Sequence, residues 1–229
     1  MNDSNVKRLR ALDCCAVSDA LDKLGMPGVV TGLVRRSGPD NMMGRIAGRA
    51  VTMKVGVGQK PDGPLKHLGC TAIEQAGPDN IIVVEQRSGL EAGCWGGLLT
   101  LGAKVRGVAG VVADGPLRDV DEAIAYAFPI FSRSLTSRTA RGRVVELGTQ
   151  IPVTVGDDTQ SGKVVVNPGD YVLADSSAIV FISEENIERV LNAAETIVAK
   201  EAGMAKAIQV GTPIGEVMGG NYEHMLENE

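Results

Sequence analysis

Two neighbouring residues, Arg118 and Asp119, stand where the apolar run Val108 to Ala113 gives way to DGPLRD. An arginine holds a carboxylate through two parallel hydrogen bonds. An aspartate can ligate a hard cation, and Mg²⁺ commonly takes one or two carboxylates and keeps several waters. Together they suit a small anionic ligand that also chelates a metal, such as a 2-oxo acid. A second loop, RSGLEAGCWG at 87–96, runs into the start of a helix. There the backbone N–H groups of Gly96, Gly97, Leu98 and Leu99 would have no intrahelical acceptor. Such a helix start binds anions, carboxylates included, and the missing side chains of Gly96 and Gly97 allow a ligand to come close. The same residues also have plainer readings. Arg-Asp neighbours usually form a surface ion pair, Asp-Gly often marks only a turn, and a glycine pair can be a tight loop with no ligand.

These loops need elements to hold them. Residues 81–86 (IIVVEQ) and 108–113 (VAGVVA) read as apolar β-branched strands. The pattern predicts helices over 67–76, 97–107 and 120–127, and strands over 46–57 and 129–135. Strand and helix thus alternate, which indicates parallel strands with right-handed crossovers. In such units ligand sites lie beyond the carboxyl ends of the strands, and consecutive strands would bring the 87–96 loop beside DGPLRD. An earlier helix is expected over 16–24. Short strands split by Gly, Pro and Asp over 143–182 read as an antiparallel, turn-rich β layer. A long helix over 184–208 carries the apolar stripe Ile187, Val190, Leu191, Ala194, Ile197 and Val198, suited to its own core or to a neighbouring subunit. The expectation is one layered α/β domain spanning 1–229, with no tandem repeat or linker.

Composition narrows the function. The chain has 229 residues, 44% of them apolar, and a formal net charge of −5. Nucleic-acid binding wants a basic face and stacking aromatics. Here the densest basic group is Arg138, Arg141 and Arg143, and aromatics make up 3%. No run of 18 apolar residues suggests a membrane span, and the polar N-terminal stretch lacks a signal core. The four cysteines, Cys14, Cys15, Cys70 and Cys94, show no Cys-x-x-Cys spacing. With only His67 and His224 to add, a disulfide framework or zinc cage is poorly supplied, and a cytoplasmic setting is expected.

The block WGGLLTLGAKVRGVAGVVADGPLRDVDEA, with AVSDALDKLG before it and PGDYVLAD and the late helix after it, resembles the RraA-like family, which includes the aldolases of 4-hydroxy-4-methyl-2-oxoglutarate and 4-carboxy-4-hydroxy-2-oxoadipate. Its specific part is the family's glycine, twenty residues, Arg-Asp, and an acid three residues on: Gly97, Arg118, Asp119 and Glu122. The resemblance implies the swivelling β/β/α fold, a homotrimer or homohexamer with sites at subunit boundaries, and a divalent-metal pyruvate aldolase. By that analogy Asp119 would ligate Mg²⁺ or Mn²⁺, Arg118 would bind the pyruvyl oxygens, and the Gly96–Leu99 backbone would hold the carboxylate. The metal would stabilise the enolate released on C–C cleavage, and oxaloacetate decarboxylation would be a side activity. A remote acid would come from a neighbour's C-terminal helix, with Glu201 as the candidate. The chain departs from many relatives in carrying Gly97 where they have an acid, and Asp175-Ser176-Ser177-Ala178 after PGDYVLAD.

Other residues admit roles too. Cys94 with His67 as base is a conceivable nucleophile pair. Trp95 reads as packing for the loop, Lys104 as a solvent-facing helix residue, and His224 as part of an exposed tail. Asp114 either orients Arg118 or serves a turn. Asp13, Asp19 and Asp22 look like caps or solvated face. Two other functions compete with the lyase: a family member that binds and regulates a ribonuclease, which tends to lack the Asp of the pair, and another metal-dependent 2-oxo-acid enzyme.

Overall fold

The computed structural model describes residues 3–39, 44–63, 66–157 and 162–219. His224 lies outside them. Helices α1 (Ser4–Ala11) and α2 (Cys14–Lys23) precede strands β1 (Val29–Val30), β2 (Val34–Ser37) and β3 (Ile46–Gly56). Then come α3 (Cys70–Gln75), β4 (Asn80–Gln86), α4 (Gly97–Val105), β5 (Gly110–Leu117), α5 (Val120–Ala125) and β6 (Ile130–Leu135). Strands β7 (Val145–Thr149), β8 (Val153–Asp157), β9 (Gly162–Val166), β10 (Tyr171–Ala174) and β11 (Ile179–Ile182) follow, and α6 (Ile187–Gln209) and α7 (Ile214–Val217) close the described chain.

The main sheet has the order β1-β11-β10-β3-β4-β5-β6-β2, with β7 also paired to β3. Strands β3 to β6 run parallel, as the alternation of strands and helices predicts. Their apolar runs fit burial on both faces. Ile82, Val84, Val111 and Ala113 face Ile73, Leu99, Ala103 and Ala123 of α3, α4 and α5. Ile81, Val83 and Val112 face the opposite way, onto Val153, Val155 and Val166 of the β8–β9 hairpin. A third core seats α1, α2 and α6 on β10 and β11 through residues such as Leu9, Val17, Leu191, Leu173 and Val180.

Three features differ from the sequence expectation. The late strands do not form one separate layer: β10 and β11 extend the main sheet antiparallel beyond β3, β7 pairs with β3 as well, and β8–β9 alone stands apart. Residues 4–11 form α1, capped by Asp3, whose carboxylate accepts from the Asn5 and Val6 N–H groups. Only Val6, Leu9 and Leu12 of that polar segment are buried, so its apolar signal is sparse. Strand β5 continues through Asp114 to Leu117, because after a bulge Pro116 and Leu117 pair with Ser134 and Leu135 of β6.

That extension settles Asp114. It serves neither Arg118 nor a turn. It lies on the hairpin face of β5, 2% exposed. Its carboxylate accepts from the Arg133 Nε, from Arg87 at 3.3 Å and from the Gly156 N–H at 2.9 Å. One strand over, Glu85 accepts the Thr154 N–H at 2.7 Å and pairs with Lys54 at 3.1 Å. Two sheet carboxylates thus pin the hairpin through its backbone. Asp114→Ala would strand two arginines, but both keep some solvent contact and Arg133 keeps Asp157. The expected loss is about 3 kcal/mol, at the low end of the cost of breaking a buried ion pair, read as a lowered urea midpoint.

Candidate active site

A cleft of about 550 Å³ opens at the carboxyl ends of β4 and β5, between α3, α4 and the loop after β6. Its floor is made by the two loops the sequence singled out. The 87–96 loop is laced to the end of β5 in parallel: the Cys94 N–H donates to the Pro116 carbonyl at 2.9 Å, and the Arg118 N–H donates to the Trp95 carbonyl at 3.0 Å. Trp95 anchors this lacing. It is 1% exposed, and its Nε1 donates to Thr100 Oγ1 at 3.1 Å, while that hydroxyl donates to the Gly96 carbonyl at 2.9 Å. Trp95 therefore packs the loop, as expected of it.

The lacing brings Gly96 and Gly97 against Arg118 and Asp119. The Arg118 stem lies so near Gly93 and Gly96 that an added Cβ would stand 3.0 and 3.2 Å from it. At both positions a side chain would crowd the Arg118 stem, and at Gly96 it would also meet Asp119 Oδ2 at 2.8 Å. Arg118 Nε donates to Asp119 Oδ2 at 3.2 Å and Oδ1 at 3.3 Å. Its two terminal nitrogens have no hydrogen-bond partner among the described residues, and the side chain is about one-third exposed. Asp119 occupies the left-handed backbone region, φ 57° and ψ 40°. Aspartate tolerates that region better than most residues, and it turns the carboxylate back onto α4. There Oδ2 accepts the Gly97 N–H at 3.0 Å.

One amide of the helix start is thus engaged from within the chain, which the sequence did not foretell. The Leu98 and Leu99 N–H groups have no acceptor among the described residues. A side chain at Gly97 would begin where the exposed end of Glu122 lies, so Glu122 would have to move to admit one. Glu122 therefore supplies negative charge at the point where an acid at position 97 would emerge.

Other candidates separate clearly. Cys94 is fully buried, its Sγ donates to the Pro116 carbonyl at 3.3 Å, and burial pushes its thiol up to about 12. It is unsuited to nucleophilic attack, since the thiolate is the reactive form. Lys104 donates to the Tyr126 carbonyl at 2.6 Å on the outer face of α4. Asp13 caps α2 by accepting the Ala16 N–H at 2.9 Å. Glu201 is exposed on α6, beyond Ile197, the last buried residue of that helix, and does not line its own chain's cleft.

Two cleft residues carry more than the sequence assigned them. Arg141 and His67 both line the cleft. The imidazole is held below the ordinary histidine range by partial burial, then by the positive charges of Arg141, Lys60 and Arg118. His67 was considered only as a base for Cys94, and Arg141 only within a basic group. The spacing of Arg138, Arg141 and Arg143 is visible in the sequence, but which of them lines the cleft is not.

The fold and cleft define an α/β protein with an open cleft at the carboxyl ends of its parallel strands. The family model described as RraA-like, Aldolase/RraA, matches residues 14–181, and the chain belongs to that family. An uncharacterised protein of Methanocaldococcus jannaschii is 34% identical over 128 residues, 56% of this chain and 58% of that protein. Protein DlpA of Legionella pneumophila is 25% identical over 86% of this chain, which spans 30% of DlpA. The chain thus spans less than two thirds of either relative. A Halalkalibacterium halodurans protein named "Putative 4-hydroxy-4-methyl-2-oxoglutarate aldolase" is 28% identical, over 89% of this chain and 88% of its own. Among solved structures, an uncharacterised Pseudomonas syringae protein superposes with a TM-score of 0.79 at 26% identity, covering 95% of this chain and 93% of that one. Streptomyces coelicolor RraAS2, titled an unusual member of the RNase ES inhibitor RraA family, shares the fold with a TM-score of 0.72 at 22% identity, covering 88% and 96%.

The charges around His67 generate a test. In an NMR titration its midpoint should fall below that of a free histidine. Arg141→Ala removes a positive neighbour and should raise the midpoint. An anion such as oxalate in the cleft should raise it too, because negative charge favours the imidazolium. A midpoint unmoved by both would detach His67 from the cleft.

Proposed function

We propose that the protein is a divalent-metal-dependent lyase that cleaves 4-hydroxy-2-oxo acids, such as 4-hydroxy-4-methyl-2-oxoglutarate, to pyruvate, with oxaloacetate decarboxylation as a side activity. The observation that carries this reading is the open fork of Arg118, set beside the Asp119 carboxylate and the unengaged Leu98 and Leu99 amides in one cleft. Family membership and an aldolase-named relative of nearly equal length support it.

The donor set fits a hard cation. Among the described residues no group of three or more His, Cys, Asp or Glu side chains forms a cage. Of the two carboxylates lining the cleft, Glu74 is paired with Lys66, so Asp119, with Glu122 beside Gly97, is the one suited to Mg²⁺ or Mn²⁺ that keeps most of its waters, and the set suits zinc poorly. Such an ion on Asp119 supplies electrophilic stabilisation of the oxygen on which charge develops.

The chain's own groups do the rest. The Leu98 and Leu99 amides, at the positive end of α4, receive the substrate's 1-carboxylate. The Arg118 fork donates to the 2-oxo oxygen. As the C3–C4 bond breaks, the 4-hydroxyl gives its proton to water and its carbon becomes a carbonyl, while the electron pair passes to the pyruvyl fragment as an enolate, whose C3 then takes a proton from water to give pyruvate. During the cleavage negative charge grows on the oxygen that Arg118 faces, so this contact strengthens toward the transition state. Gly93 and Gly96 keep the guanidinium stem low enough to leave room for substrate.

Incubation with Mg²⁺ and oxaloacetate or 4-hydroxy-4-methyl-2-oxoglutarate should yield pyruvate in a coupled dehydrogenase assay, and EDTA should abolish it. Arg118→Ala should lower kcat/KM about 100-fold or more, the scale of losing one oxyanion donor, while Lys104→Ala should change little. Asp119→Asn is the cleaner test of the carboxylate, because asparagine also tolerates the left-handed backbone; it should abolish metal-dependent turnover. Equal effects of the Arg118 and Lys104 changes would refute the site. Tight binding to a ribonuclease with no turnover of any 2-oxo acid would favour the regulatory reading instead.

Assembly belongs to the same proposal. Leu98 and Val105 on α4 are 86% and 79% exposed, and Val210 and Ile214 after α6 are 83% and 63% exposed. A homotrimer or homohexamer would cover such surface and could carry a neighbour's Glu201 toward the cleft. Light scattering should report a trimer or hexamer, and Val105→Asp should shift it toward monomer; a wild-type monomer would overturn the assembly.

A further inference from the structure

The loop after β6 carries three arginines with different fates. Arg138 pairs with Glu91 at 3.0 Å, and Arg143 donates to the Thr139 carbonyl at 3.2 Å. The Arg141 side chain has neither a hydrogen bond nor an ion pair among the described residues, and Arg141 is an exposed residue lining the cleft. Its backbone is well held. The Arg141 N–H donates to Thr139 Oγ1 at 3.3 Å, and Ala140, 5% exposed, accepts from the Arg143 and Val144 N–H groups at 2.9 and 3.0 Å. The Gly93 N–H donates to the Arg138 carbonyl at 2.9 Å, tying this loop to the one on which Arg118 rests.

The cleft therefore contains two guanidiniums with open donors, Arg118 and Arg141. The acids at its rim are largely spoken for: Asp119 holds Gly97 and Arg118, and Glu74 is paired with Lys66 at 2.6 Å. In a chain of net charge −5, this concentrates open positive charge in one place. One substrate carboxylate is accounted for by the α4 helix start, and the 2-oxo oxygen by Arg118. Arg141 is left without a ligand group. We propose that Arg141 is a specificity-determining residue that binds a second carboxylate at the far end of the substrate, so that the cleft selects dicarboxylic over monocarboxylic 2-oxo acids. This rests on the lyase reading and names the residue that discriminates within its substrates. The depressed imidazole of His67 is a second sign that the Arg118 and Arg141 charges reach a common space.

The test compares 2-oxoglutarate with 2-oxopentanoate, acids of equal chain length that differ in the terminal carboxylate, by calorimetry in the presence of Mg²⁺. Wild type should bind the diacid roughly 10- to 100-fold more tightly, the scale of one charge-assisted pair. Arg141→Ala should remove most of that ratio, and Arg141→Lys should retain part of it. Arg138→Ala, which breaks only the pair with Glu91, should preserve it. Equal binding of the two acids by wild type, or a ratio unmoved by Arg141→Ala, overturns the assignment. If the protein still yields pyruvate from 4-hydroxy-2-oxo acids in that case, the lyase reading stands and only the role of Arg141 falls. Binding of neither acid together with no turnover overturns both.

Discussion

The site depends on a short parallel pairing that runs past the nominal end of a strand. Cys94 and Arg118 donate in turn to Pro116 and Trp95, so the loop leaving β4 is fastened to the tail of β5. Without it, Gly96 and Gly97 would have no fixed relation to Arg118 and Asp119, which are more than twenty residues away in sequence. The pairing survives at the sheet end because Trp95 is fully packed and hydrogen-bonded to the first turn of α4. A backbone link at this point places donors more exactly than two flexible side chains could, and preorganised donors are what acyl and enolate chemistry requires.

The opposite face of β5 has a complementary job. Asp114 and Glu85 receive backbone N–H groups from the β8–β9 hairpin and balance Arg87, Arg133 and Lys54. One strand thus presents a satisfied buried carboxylate on one face and an open guanidinium beyond its end. The first is costly to disturb but chemically quiet, because its lone pairs are taken. The second is partly exposed and, apart from its Nε contact with Asp119, leaves both terminal nitrogens without a partner among the described residues.

Much of this was legible in sequence, for identifiable reasons. Strands β4 and β5 are continuous β-branched runs, α4 follows a glycine pair, and Arg118-Asp119 interrupts an apolar stretch, so their order and proximity follow from local pattern and the handedness of parallel crossovers. Long-range pairing was less visible. Nothing local tells that 171–174 and 179–182 join the sheet beyond β3 while 153–157 and 162–166 fold over its face, since all are short strands between turns. The extension of β5 across a bulge was hidden by Gly115-Pro116, which reads as a stop. Asp114 and Arg118 are close in sequence, but Asp114 shares the hairpin face with Val112, and the bulge between Ala113 and Pro116 separates it from the strand end that Arg118 follows. Arg141 was one of three similar arginines, and only tertiary packing distinguishes the one that lines the cleft. Gly97 looked like a missing acid until Glu122 was seen to fill its place.

The chain contains a single tryptophan, and that residue is the peg behind the helix start. Its indole is dry, hydrogen-bonded to Thr100, and one residue from the glycine pair. The protein therefore carries its own optical probe: its tryptophan emission originates from this one spot, and a red shift would signal water reaching the place where the two loops meet.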